Sequence, residues 1–122
     1  MIQQIVSMIV EALLHKKKIR QKEWEDYDHL TRQILGTDTR ELLNTSADEL
    51  IDRYADTPDG MNKLELAAVN MLKLSEEVET DNLLLKSRLR QEGCLLLKYI
   101  QQHSDNYSLQ RQFLIQLLDT NA

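Results

Sequence analysis

Apolar positions fall at spacings of three and four almost from the start of the chain. Ile2, Ile5, Val6, Ile9 and Leu13 form one such stripe, with Met8 and Ala12 beside it, which predicts an amphipathic helix running to about Arg20. Tyr27, Leu30, Thr31, Ile34 and Leu35 form a second, with Glu23, Glu25 and Asp26 near its start and Gly36 placed to end it in a left-handed conformation. The link at Gln21 and Lys22 is short, so these two helices are expected to fold back as an antiparallel hairpin.

Capping residues mark the next elements. Asp38 precedes a helical stretch from Thr39 to Leu43, and Ser46 lies three residues before Glu49, the capping-box spacing, ahead of Leu50, Ile51 and Tyr54. Thr57 and Pro58 form a third start signal, with Thr57 as cap and Pro58 at the first helical position. Met61, Leu64, Ala68, Met71, Leu72 and Val78 then make a long stripe, followed by Leu84, Leu85, Leu89, Leu96, Ile100 and His103. One helix of about 45 residues would have no partner of equal length in so short a chain, so a turn is predicted at Thr80 and Asp81. After the polar break Ser104-Asp105-Asn106, a last amphipathic helix is defined by Leu109, Phe113, Leu114 and Leu117.

Composition supports helices throughout. Among 122 residues there are 22 leucines against 4 valines and 8 isoleucines, with three glycines and one proline, which favours straight-chain helix formers over strand formers. The expected fold is all-α: one domain over residues 1–122, a compact bundle of about five to seven helices arranged as antiparallel hairpins. A chain of this length buries roughly two-thirds of its unfolded surface, enough for a core without metal or disulfide staples.

Charge divides the chain unevenly. The net charge is −5, but residues 1–22 carry five basic groups against Glu11, net +4, and the remainder carries ten basic against nineteen acidic groups, net −9. So acidic a body repels a polyphosphate backbone, and nucleic-acid binding is not expected. The opening residues lack the basic start and small-residue cleavage site of a signal peptide, and no run of about 18 apolar residues predicts a membrane span. Cys94 is the single cysteine and cannot close an intramolecular disulfide, so a reducing cytoplasm is the expected compartment, with Cys94 a small buried hydrophobe.

Catalytic patterns are lacking. Asp26 and His29 have the carboxylate-x-x-histidine spacing of di-iron bundles, but Ala12 precedes His15 and Ile100 precedes His103 at that interval, so no matching pair exists. A calcium loop built on Gly60 would place Ala55 and Leu66 at ligand positions and fails. The run Glu76, Glu77, Glu79 and Asp81 reads as a solvated face. No glycine-rich phosphate loop, nucleophile elbow or Cys-x-x-Cys occurs, so no enzyme activity, metal, cofactor or small-molecule ligand is expected.

Two segments echo one another: Leu30-Thr31-Arg32-Gln33-Ile34-Leu35 and Leu109-Gln110-Arg111-Gln112-Phe113-Leu114. Asp26-Tyr27 and Asp105-Asn106-Tyr107 sit before them, and Gly93 lies within a long helix, followed by Leu96. With these features the chain resembles degenerate tetratricopeptide-type hairpins, and a group of short uncharacterised bacterial proteins of that shape. It lacks the family's 34-residue period and its tryptophan, leucine, glycine and tyrosine series, so a compact bundle is expected rather than a superhelical groove. The resemblance implies a non-enzymatic module that binds another protein, a second copy of itself included.

The basic cluster after the first helix supplies the candidate interaction residues Lys16, Lys17, Lys18 and Arg20, with Trp24 either a contact anchor or a packing residue between the first two helices. The simpler account is that the cluster complements the helix dipole while Ile2 to Leu13 enter the core. The alternative is peripheral attachment to an anionic membrane or an acidic partner. That alternative predicts co-sedimentation with anionic vesicles, weakened by salt and by replacing Lys16, Lys17 and Lys18 with glutamate.

Overall fold

A computed structural model describes residues 2–15, 19–78, 81–105 and 108–120, with side chains as far as residue 118. These form six α-helices, α1 (Ile2–His15), α2 (Gln21–Leu35), α3 (Ala47–Tyr54), α4 (Gly60–Glu77), α5 (Leu83–His103) and α6 (Leu109–Thr120), with a 3₁₀ turn over Thr39–Asn44. The fold is an all-α bundle.

α4 is the axis. Every residue from Leu64 to Leu72 is buried, because α5, α1, α3, the 3₁₀ turn and α2 all pack on it. The sequence shows this helix as a one-sided stripe, but the run Leu64-Glu65-Leu66-Ala67-Ala68-Val69-Asn70-Met71-Leu72 is apolar nearly all round, as a central helix must be. Its polar members are satisfied: Asn70 donates to the Leu66 carbonyl at 2.8 Å and Ser75 to that of Leu72 at 2.6 Å. α4 and α5 form the most extensive pair. At their closest approach a Cβ on Gly93 would come within 3.0 Å of the Leu72 side chain and 3.3 Å of the Ala68 carbonyl oxygen.

α1 contributes Ile5, Val6, Ile9 and Val10 to the core and packs chiefly on α4, with a smaller contact to α2. It is helical to His15, and Ile19 and Arg20 are not. α2 ends as expected at Gly36, whose φ of 75° lets its N–H reach the Arg32 carbonyl at 2.9 Å. The predicted caps at Asp38 and Ser46 are present: Asp38 accepts from the Arg40 N–H at 2.9 Å and Ser46 from the Glu49 N–H at 3.2 Å. A turn separates α4 from α5, and Asn82 caps α5 by accepting from the Leu85 N–H; of the predicted turn, Thr80 lies outside the described residues.

One start signal is corrected. Thr57 and Pro58 do not begin α4, which starts at Gly60 behind Asp59. Thr57 serves the end of α3 instead, its hydroxyl and N–H both donating to the Tyr54 carbonyl, while Gly60 N–H closes a turn onto the Thr57 carbonyl at 2.9 Å. Gly60 is required there, since a Cβ would lie 2.2 Å from the Tyr54 carbonyl oxygen and 2.7 Å from that of Ala55.

No helix among the described residues is long and apolar enough to cross a membrane. Gly60→Ala is expected to destabilise the fold by about 1–3 kcal/mol or more, because backbone rather than a side chain must move. Gly36→Ala, strained by its φ but with open space around it, should cost roughly 1–2 kcal/mol. Urea denaturation of the two variants would check the order.

Candidate functional site

A carboxylate in the middle of a buried helix needs a cation. Glu65 meets Arg111 of α6, whose Nε lies 2.5 Å from Oε2, with both side chains less than a tenth exposed. A second guanidinium nitrogen donates to Gln101 Oε1 at 2.6 Å, and Gln101 in turn donates to Gln112 Oε1 at 3.2 Å and to the Ser108 carbonyl at 3.4 Å. Ser108 caps α6, its hydroxyl accepting from the Arg111 N–H at 3.2 Å. Side chains from α4, α5 and α6 thus converge on one polar knot. Among the described residues, no buried side-chain nitrogen or oxygen lacks a partner.

The knot fixes the rotation of α6. With Arg111 turned inward, Leu114 and Ile115 are buried beside it. Leu109, Phe113 and Leu117, about half a turn away, face water and are 59%, 51% and 45% exposed. The sequence places Leu109, Phe113 and Leu117 with Leu114 on the core stripe, and the structure corrects this: of the four only Leu114 enters the core. The exposed three, four residues apart, make one straight apolar ridge. Leu84, also predicted to pack inward, is 88% exposed at the start of α5.

The echoed segments do not share an environment. Arg32 is exposed and bridges to Asp28 at 3.0 Å, whereas Arg111 is buried; Thr31 is buried, whereas Gln110 is exposed.

Of the residues singled out by sequence, Lys16, Lys17 and Lys18 lie outside the described residues. Arg20 is exposed at the start of α2, where its carbonyl accepts from the Trp24 N–H at 2.8 Å. Trp24 is half-buried and packs against the core, with Lys73 Nζ of α4 seated 3.7 Å from its ring centroid. Lys73 is also paired with Glu77, so the Trp24 face is engaged inside the molecule. His29 is exposed beside Gln33, His103 stacks on Tyr99 with centroids 4.1 Å apart, and Cys94 is buried. No three His, Cys, Asp or Glu groups gather into a metal-binding set among the described residues.

Beside the knot, Gln3, Ser7, Glu65, Arg111 and Leu114 help line a cavity of about 30 Å³, room for a water molecule. No family model, curated protein or solved structure matches the chain.

The ion pair generates a prediction. Arg111→Ala should destabilise the protein by about 3–5 kcal/mol, because it leaves the Glu65 charge buried without its cation. The double change Glu65→Leu with Arg111→Met should recover most of that loss. Chemical denaturation of the single and double variants measures both.

Proposed function

We propose that this chain is a non-enzymatic helical module that binds another protein on the outer face of α6. The ridge of Leu109, Phe113 and Leu117 carries the reading. Each side chain leaves on the order of 100 Å² in water, and covering it returns about 25 cal/mol per Å². A single exposed leucine needs no explanation, but three aligned along one helix face make the kind of patch that partners cover.

The basic cluster offers a weaker case. The apolar face of α1 that would enter a bilayer is occupied, with Ile5, Val6, Ile9 and Val10 packed into the core. We place the module in the cytoplasm, a reading supported by the single buried cysteine. The likeness to helical hairpin repeats supports a binding role, with the α6 face in place of a repeat groove.

A photoreactive phenylalanine analogue at position 113, irradiated in cells producing the full chain, tests this. A discrete heavier protein adduct is expected, absent when the same group replaces the exposed Asp52 of α3. Equal or no adduct from the two positions would remove the reading.

A further inference from the structure

We infer that α6 is a helix with two possible seatings, between which the Glu65–Arg111 pair selects, so that a chain lacking both charges occupies the two together. Leu114, Ile115 and the partly buried Leu118 supply the present core side. After about half a turn, Leu109, Phe113 and Leu117 would supply the other. The inference concerns the chain alone and holds whether or not a partner covers the outer ridge.

Apolar packing does not make the choice. Burial returns free energy in proportion to area, and a set of two leucines and a phenylalanine is at least as large as one of two leucines and an isoleucine. Nor does shape decide. A cavity of about 30 Å³ adjoins Arg111 and Leu114, so the seat beneath α6 is not tightly filled and leaves room for a bulkier side chain.

Charge does discriminate. Arg111 is the single ionisable side chain from Leu109 to Leu118, and half a turn would carry it into water while Glu65 stayed within the bundle without its cation. Breaking a buried pair in this way disfavours the turned seating on the order of 100-fold or more. The neutral contacts weigh less. Gln101, bonded to Gln112 and to the Ser108 carbonyl, would exchange those partners for water at little net cost. Glu65 and Arg111 are therefore positioning residues: neither lies on the outer face, and together they decide which side chains do.

Phe113 is the one phenylalanine in the chain, so 4-fluorophenylalanine incorporated throughout the full chain reports on that position alone. The native chain should give a single fluorine resonance, strongly broadened by a soluble paramagnetic agent. Glu65→Leu with Arg111→Gln removes both charges and gives position 111 the same side chain as Gln110 and Gln112. That variant should keep its helical circular dichroism and place about a fifth or more of the signal in a second resonance shielded from the agent. Glu65→Gln, which keeps the shape and removes the carboxylate charge, should move the balance the same way. A single broadened resonance in the folded double variant overturns the proposal, as do two resonances in the native chain. Where the double variant does not fold, the same outcome in Glu65→Gln overturns it. Loss of helix in both variants also overturns it, since the pair would then hold the fold together instead of choosing between seatings. The spectra need no partner, so a missing photo-adduct at position 113 counts against the docking reading alone.

Discussion

Glu65 lies within a stretch of α4 that is buried on every side, and a charge in that position is tolerable only against a fixed opposite charge. Arg111 provides it from 46 residues away. The hydrophobic effect alone would choose the orientation of α6 poorly. Turning the helix half a turn would exchange Leu114, Ile115 and Leu118 for Leu109, Phe113 and Leu117 at the core, an apolar surface at least as large. What such a turn could not do is leave Glu65 paired. The ion pair contributes little net stability over an apolar pair of the same shape, yet it makes one rotation of α6 far better than the other.

Polar side chains elsewhere do a related job at helix ends, where backbone groups lack partners within the helix. Glu92 of α5 accepts from the Ala47 N–H at the first turn of α3, at 2.6 Å, and Arg88, one turn earlier, donates to the Leu43 carbonyl of the 3₁₀ turn. Tyr54 donates from its buried hydroxyl to the Leu35 carbonyl, 2.6 Å away, where α2 stops. Thr39 ties the 3₁₀ turn to Asp28 of α2 at 2.9 Å. The short elements between α2 and α4 are thus tied to the longer helices at both ends, by Asp28, Arg88 and Glu92 of those helices and by Tyr54 of α3 itself, while Gly93 lets the body of α5 lie close on α4.

The features legible in the sequence were local ones. Asp38, Ser46 and Gly36 act within a few residues of themselves, so their roles follow from spacing. The break between α4 and α5 followed from a length argument, though its cap proved to be Asn82. Errors arose where a distant group decides. Gly60 begins α4 because the end of α3 crowds it, which a start signal at Thr57 and Pro58 does not disclose. The seat of Lys73 over the Trp24 ring, 49 positions away, could likewise not be read from spacing. On α6, the apolar series alone does not show that Arg111 turns inward, because its buried partner Glu65 is 46 positions away. The ridge was visible as the series 109, 113, 117; its direction was not.

A helix with apolar surface on two opposite sides is suited to lie between two bodies, and for α6 the bundle core is one of them. The side facing the core is chosen by charge, so the side left outside is set by the same contact. That coupling matters for docking. Ordering a mobile helix on binding would consume much of what a ridge of three side chains can return. Here Arg111, Gln101 and the Ser108 cap hold α6 in place before any partner arrives. The outward direction of Phe113 is therefore a consequence of Glu65, and a face too small to organise itself is presented already organised.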